Sequence, residues 1–215
     1  MGGLAPVFGI RAFQGGRGAV SRTGHRDTPG DRAMTRLFLA VPALLAMLAG
    51  AAPAQTPRSF ANDPMILIDH GVICQVAAEG ARPAPDTMVG EINLVRQTRE
   101  MDVTTRVVPA KPGISFGIKF TLRPDTPPRD MNVIVTHPAM GPEGVTRESW
   151  TASVSGGRPS LNLFTFEFPY ELVTGAWTMA LEFEGERLME QHFEVVPELA
   201  GAAVLSVCYG QDFVS

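Results

Sequence analysis

The sequence lacks the long apolar runs and the cysteine pairs that mark membrane-spanning and redox proteins. The longest apolar run, residues 37–48, is interrupted by Pro42 and is shorter than the roughly 20 residues that a membrane helix needs. The two cysteines, Cys74 and Cys208, are too far apart for a C-x-x-C pair. No Arg-Arg pair is present, which excludes a twin-arginine export signal. We therefore expect no membrane span in the mature protein.

Metal-ligand spacings and helical periodicity are also missing. None of the three histidines after residue 54 has the H-E-x-x-H spacing, or a comparable spacing, to another histidine, a cysteine or a carboxylate. They are His70, His137 and His192. No long segment has apolar residues at helical intervals, and no internal repeat or second compositional region is present. These absences predict one domain, built mainly from β-strands, with no cofactor.

Residues 34–54 predict a complete secretory signal peptide. Met34 and Arg36 provide a short positive start, an apolar core follows, and the last three residues have the small-x-small pattern that signal peptidase recognises. Cleavage between Ala54 and Gln55 leaves enough chain for one domain with a core. We predict a periplasmic or secreted protein.

The segment before this signal, residues 1–33, is rich in glycine and arginine. It has no sustained hydrophobic period and cannot bury a core. Two interpretations are open: an extended basic targeting arm, or a start codon assigned upstream of the true initiator Met34. We favour the second, which makes this segment a disordered extension outside the natural protein.

The charge balance of the chain changes with signal cleavage. The whole sequence has a net charge of −4, and its first 54 residues contain six arginines against Asp27 and Asp31, so the mature part carries −8. Its few basic residues are dispersed, which provides no electrostatic basis for binding nucleic acid or anionic lipid. We expect neither as a partner.

Both cysteines lie in the mature part of the chain. In an oxidising compartment two cysteines most simply pair, so Cys74 and Cys208 predict one disulfide across most of the domain. Two free thiols are the alternative.

The first half of the mature chain predicts a polar, flexible lead-in at residues 55–64 and then short strands. Gly71 predicts a bulge or bend in the first strand, and residues 81–86, with two prolines, predict a loop. Strands are predicted at residues 65–74, 89–95 and 103–108.

The clearest strand signal covers residues 114–122. Five apolar residues alternate there with Ser115, Gly117, Lys119 and Thr121, which is a period of two. This pattern predicts a strand with one buried face and one solvated face.

The second half continues with strands and tight turns. A Pro/Gly loop containing His137 is predicted after the strand at residues 131–136, and Gly185 predicts a hairpin turn. Strands are predicted at residues 131–136, 145–154, 161–168, 177–183 and 188–196. About seven or eight antiparallel strands with one apolar face each predict an all-β, immunoglobulin-like two-sheet sandwich at residues 65–198. A C-terminal tail, residues 199–215, then carries Cys208 and a possible helical turn or two.

Candidate chemistry in this chain is weak. Residues 113–117 match the serine-hydrolase pattern G-x-S-x-G, but Ser115 opens a strand instead of a strand-to-helix turn. His137 and Met140 have the imidazole and thioether groups that suit copper(I).

Asp69 precedes His70, with no nucleophile identifiable nearby. Five glutamates around the last hairpin favour a solvated face over a Ca²⁺ site; they are Glu182, Glu184, Glu186, Glu190 and Glu194.

Several motifs in this chain occur together in a known family. They are VVP at 107–109, GISFG at 113–117, VTHP at 135–138, MGP and GVT at 140–146, FTFEFPYE at 164–171, a glycine two residues before Trp177, and FEVV at 193–196. In this combination the chain resembles an uncharacterised family of exported proteobacterial proteins, domain of unknown function 3859. The resemblance implies a small secreted β-sandwich and no catalytic residue.

The sequence leaves the function unknown. It favours a non-enzymatic periplasmic or secreted binding domain that recognises a protein, peptide or envelope component through loops or an edge strand. A copper-handling sandwich that uses His137 and Met140 is the first alternative, and a hydrolase is the second. Fold alone does not decide among these three.

Overall fold

The computed structural model describes residues 58–210. The signal peptide predicted at residues 34–54, its cleavage site between Ala54 and Gln55, and the predicted extension at residues 1–33 lie outside this range, so these remain predictions. The strands of the described range are β1 (Phe60–Ala61), β2 (Met65–Ile73), β3 (Gly80–Pro83), β4 (Glu91–Leu94), β5 (Val103–Thr104), β6 (Val107–Pro109), β7 (Ser115–Leu122), β8 (Arg129–Met140), β9 (Val145–Val154), β10 (Ser160–Thr165), β11 (Gly175–Phe183) and β12 (Glu186–Val196). The only α-helix among these residues is α1 (Ala202–Tyr209).

Two sheets form a sandwich, which confirms the predicted fold class. The larger sheet has the order β1-β12-β11-β8-β9, with β6 added to β12 in parallel, and the smaller has the order β10-β7-β2-β5. The hairpin β3–β4 is a separate two-stranded sheet. The described residues contain twelve strands instead of seven or eight, because several are only two to four residues long.

The core lies between the inner faces of the two sheets. The apolar residues of the period-two pattern in β7, including Phe116, Ile118 and Phe120, are fully buried. They face Trp177, Met179 and similar residues of the larger sheet. Apolar side chains on alternate positions of facing strands thus account for the two layers.

The outer face of β7 is also buried, so the predicted solvated face is wrong. Lys119 is only 3% exposed, although lysine is seldom buried unless it is paired. Its Nζ donates to the carbonyl of Arg99 at 3.1 Å and to Glu100 Oε1 at 2.5 Å. The chain between β4 and β5 therefore covers this face of the smaller sheet.

Two predicted loops are partly strand in the structure. Residues 81–83 of the loop predicted at residues 81–86 belong to β3, and its two-stranded pairing with β4 places Pro83 at the end of the strand. His137 lies within β8, because pairing with β9 resumes at Met140 after an irregularity that begins at Thr136. Proline is tolerated there because the ladder is already interrupted.

Gly71 does not mark the bulge in β2. The register of β2 against β7 shifts between Leu67 and Asp69, and Gly71 instead allows β5 to approach closely. A Cβ atom at Gly71, where φ is +153°, would lie 2.0 Å from the carbonyl oxygen of Val103. The strand predicted at residues 103–108 is divided between β5 and β6, which belong to different sheets.

Both ends of the described chain pack on the sandwich. Phe60–Ala61, part of the predicted flexible lead-in, pairs with β12 as β1. After β12, α1 contributes Val204 and Leu205 to the core. The predicted disulfide is confirmed: Cys74 and Cys208 are bonded, with their Cα atoms 5.1 Å apart. Within residues 58–210, no helix has the length and apolar character needed to cross a membrane.

Candidate functional site

A cavity among the described residues lies where the two sheets end on the same side. β9 is the edge of the larger sheet, β10 is the edge of the smaller one, and the hairpin β3–β4 lies over the gap. We call this cavity, with a volume of about 290 Å³, the edge cleft. Its apolar walls include Ile92, Leu94, Trp150, Leu161, Leu163 and Phe164.

The edge of β10 that faces away from β7 has a hydrogen-bond partner at Leu161 and none at Leu163. Leu161 donates its backbone N–H to Gln97 Oε1 at 2.7 Å and accepts from Gln97 Nε2 at 3.4 Å. Outward-facing backbone groups recur every second residue in an antiparallel strand, so those of Leu163 also point away from β7. Within residues 58–210 nothing pairs with the N–H or C=O of Leu163, which lines the edge cleft.

The opposite edge, that of β9, is closed by the hairpin β3–β4 with its connecting loop, residues 80–94, which we call the roof. Ser149 donates its backbone N–H to the carbonyl of Asp86 at 3.0 Å, and Arg82 donates to the carbonyl of Thr151. β4 pairs with β3 and not with β10. The hairpin is therefore attached to β9 and leaves a gap beside β10.

Glu148 of β9 is a buried carboxylate at the wall of the edge cleft. Its side chain is 6% exposed, and Oε2 accepts the backbone N–H of Met88 at 3.0 Å. Burial raises the pKa of this carboxyl group, and the hydrogen bond from Met88 lowers it by less. Glu148 replaces an apolar residue in the inward pattern that continues with Trp150, Ala152 and Val154.

His137 faces this carboxylate from β8. Its Nδ1 lies 2.9 Å from the carbonyl oxygen of Pro138, which can only accept, so Nδ1 carries the proton in the neutral ring. Nε2 is buried without a hydrogen-bond partner, 3.7 Å from Glu148 Oε1. Burial lowers the pKa of His137, and the ring packs against Trp177 with centroids 4.7 Å apart.

A second buried carboxylate, Glu171, follows β10 in a single 3₁₀ turn. Its Oε2 accepts the backbone N–H groups of Glu167 at 2.6 Å and Phe168 at 2.8 Å. Burial raises the pKa of Glu171, these two hydrogen bonds lower it, and the charges of Glu167 and Glu148 raise it further. The side chains of Glu148 and Glu171 therefore line one acidic end of the edge cleft.

Sequence reasoning missed this acidic end. Glu148 carries the detectable signal, since it precedes Trp150 by two residues and so falls on the inward face of a predicted strand. Glu171 carries no such signal, because it reaches the edge cleft only through a turn. The two carboxylates come together only because β9 and the end of β10 are neighbours in the folded structure.

The two copper candidates lie in β8 and are both buried, at 6% exposure for His137 and 2% for Met140. No group of three or more His, Cys, Asp or Glu residues in the described chain is arranged to hold a metal ion. The copper(I) hypothesis stays a prediction.

The other sequence candidates have structural partners. Ser115 lies at the start of β7, fully buried, with Oγ 2.8 Å from Thr165 Oγ1, so the G-x-S-x-G stretch does not form a strand-to-helix elbow. Asp69 accepts the backbone N–H of His70 and the hydroxyl of Thr104. In the acidic hairpin of β11 and β12, Arg187 forms ion pairs with Glu182 and Glu190.

The buried carboxyl of Glu148 predicts a measurable pH effect on stability. Because its pKa is raised in the folded protein, the unfolded chain loses this proton first, and stability falls as the pH rises above about 4.5 through the folded pKa. Glu148→Gln, which stays neutral, should exceed the wild type in stability at pH 8 by about 1 kcal/mol. The difference should disappear near pH 4.

Urea denaturation at intervals between pH 4 and pH 8 measures this difference. His137, whose pKa is lowered by burial, destabilises both proteins as the pH falls below 6.5. Removing the charge of Glu148 also removes one cause of the raised pKa of Glu171, which adds to the stability of the variant at pH 8. Glu186→Gln, at an exposed position, is the matched control and should follow the wild type. Parallel curves for wild type and Glu148→Gln would contradict the prediction.

Fold and site together define an all-β, two-sheet sandwich with an acidic cleft between two edge strands. The chain belongs to the family described as domain of unknown function (DUF3859), whose model matches residues 65–195. This match confirms the resemblance that the sequence motifs indicated.

Solved structures that match this chain include the following two. An immunoglobulin-like protein from Pseudomonas aeruginosa is 19% identical, with a TM-score of 0.40, over 65% of this chain and 98% of the other. The alkylpurine DNA glycosylase AlkC of Pseudomonas fluorescens, bound to DNA containing an abasic site analog, is 15% identical with a TM-score of 0.29. That match covers 43% of this chain and 28% of AlkC. No curated protein matches the chain.

Proposed function

We propose that this protein is a non-enzymatic binding module that acts outside the cytoplasm, in the periplasm or after secretion. Its ligand is an extended segment of a partner protein, which lies in the edge cleft as an added strand on β10. The observation that carries this proposal is the unpaired backbone N–H and C=O of Leu163 beside an open cavity.

Added strands obtain affinity from backbone hydrogen bonds and specificity from pockets for alternate side chains. The pairing at Leu161 supports this mode, because the carboxamide of Gln97 occupies the place of a peptide group there. At Leu163 a bound segment supplies the corresponding groups. Ile92 and Leu94 of the roof then offer an apolar surface to its side chains.

The proposed compartment rests on the predicted signal peptide and on the bond between Cys74 and Cys208. Disulfides form and persist in oxidising compartments. Secretion of the full chain, followed by N-terminal sequencing of the exported protein, tests this part. A product that starts at Gln55 is expected, and a product found only in the cytosol would contradict it.

A library of N-acetylated, C-amidated hexapeptides tests the binding mode. Saturable binding is expected from peptides that can form a strand, and its absence for every peptide up to about 1 mM would reject the proposed function. Leu163→Pro removes the outward N–H without breaking a bond to β7, so affinity should fall at least about tenfold.

Leu163→Ala is the matched control, because it shortens the same side chain and retains the N–H. Its affinity should remain within about threefold of the wild type. Circular dichroism establishes that both variants are folded. Equal binding by Leu163→Pro and wild type would place the peptide elsewhere.

A further inference from the structure

The buried end of the edge cleft has more hydrogen-bond acceptors than donors. Glu148 and Glu171 each accept backbone N–H groups through Oε2. In residues 58–210, neither Oε1 accepts a hydrogen bond from the protein, and neither is among the buried atoms that lack a partner, so both are accessible from the edge cleft. Nε2 of His137 faces Glu148 Oε1 but is an acceptor in the neutral ring, so it supplies no donor to that oxygen.

Charge at the edge cleft is similarly unbalanced. Four glutamates line it, namely Glu91, Glu148, Glu167 and Glu171, against one cationic residue, Arg82. The guanidinium of Arg82 is bonded to the carbonyl of Thr151, at the β9 edge. A carboxylate that is nine-tenths buried is costly unless a cation pairs with it. A positively charged group on the ligand can donate to these two accessible oxygens and can also balance the charge of the carboxylates.

The register of β10 places such a group. Side chains directly opposite each other in an antiparallel pair lie on the same face of the sheet. Phe164 points into the sandwich, and its ring centroid lies 6.4 Å from that of His137, whose Nε2 is 3.7 Å from Glu148 Oε1. If the added strand runs antiparallel to β10, a ligand residue opposite Phe164 therefore points towards Glu148.

We propose that the bound segment carries a lysine or arginine opposite Phe164, and that its cationic head group donates hydrogen bonds to Glu148 and Glu171. This inference rests on the proposed function and narrows its ligand to basic extended segments. A lysine ammonium has three donors and an arginine guanidinium has five, enough for both free carboxylate oxygens. The remaining residues of the segment lie along the backbone of Leu163 and against Ile92 and Leu94 of the roof.

Matched peptides test the inference on the wild-type protein. The probe is a blocked hexapeptide of alternating valine and threonine with one central lysine, compared with versions that carry norleucine or glutamate at that position. The lysine peptide should bind at least about tenfold more tightly than the norleucine peptide, and the glutamate peptide should bind most weakly. A fourth peptide with lysine at its C-terminal residue measures long-range attraction alone and should resemble the norleucine peptide.

Variants locate the preference. Glu148→Gln should reduce the lysine-to-norleucine ratio to within about threefold, whereas Glu186→Gln, an exposed change far along the chain, should retain the wild-type ratio. Equal binding of the lysine and norleucine peptides by wild type overturns this inference and leaves the proposed function standing. Failure of all four peptides, together with failure of the hexapeptide library, rejects both. Because the peptide comparison uses wild type, it decides the question even if Glu148→Gln does not fold.

Discussion

Replacing Trp177 with alanine is expected to lower the free energy of unfolding by about 3–5 kcal/mol. Trp177 is fully buried, and its ring centroid lies 5.5 Å from that of Phe116, 5.0 Å from Phe164 and 4.7 Å from His137. It thus joins β11 of the larger sheet to β7 and β10 of the smaller one. Small domains are stable by only about 5–15 kcal/mol, so the loss is a large fraction of the total.

Urea denaturation of wild type, Trp177→Ala and Trp177→Phe measures this effect. The phenylalanine variant retains an aromatic ring but loses the hydrogen bond from Nε1 to the carbonyl of Val173, which is 3.0 Å long. We expect it to lose about 1–2 kcal/mol. A loss below about 1 kcal/mol for the alanine variant would show that the two sheets do not depend on this contact.

Removing the disulfide is expected to cost about 2–5 kcal/mol. The bond between Cys74 and Cys208 joins the end of β2 to α1 across a sequence separation of 134 residues. A long closed loop restricts the unfolded chain strongly, so its release stabilises the unfolded state. Cys208 also holds α1 beside the core, where Val204 and Leu205 are buried.

The double variant Cys74→Ala, Cys208→Ala tests this expectation without leaving a free thiol. Wild type treated with dithiothreitol should denature at the same urea concentration as this variant, and oxidised wild type at a higher one. Thiol titration of denatured, unreduced wild type should find no free thiol. Equal midpoints for the oxidised and reduced protein would contradict the predicted contribution.

The strand at β7 shows what alternation can and cannot predict. The period-two pattern of residues 114–122 places a strand here, since one side of it repeats apolar residues. It cannot show that Lys119 is covered, because the covering segment lies between β4 and β5, about 20 residues earlier in the chain. Lys119 contacts that segment at Arg99 and Glu100. The local sequence pattern therefore predicts that the inner face of β7 is buried. Whether the outer face is buried depends on a segment from elsewhere in the chain.

The short strands were harder to predict for a related reason. β3, β5 and β6 have two to four residues each, too few for a periodic signal. Their pairing with β4, β2 and β12 defines them, and pairing is a property of the folded chain. Proline in Gly80–Pro83 favoured a loop, although proline is accepted at the end of a strand.

The sequence alone determined the family, the two-layer class and the disulfide. These three predictions rest on combined motifs, on alternating apolar residues and on the number of cysteines. Such features are local or compositional, so they can be identified without the folded structure. Only the tertiary structure decided the candidate site. The free edge at Leu163, the inward carboxylate of Glu148 and the turn that presents Glu171 come from separate parts of the chain, and their chemistry appears only when β9 and β10 end side by side.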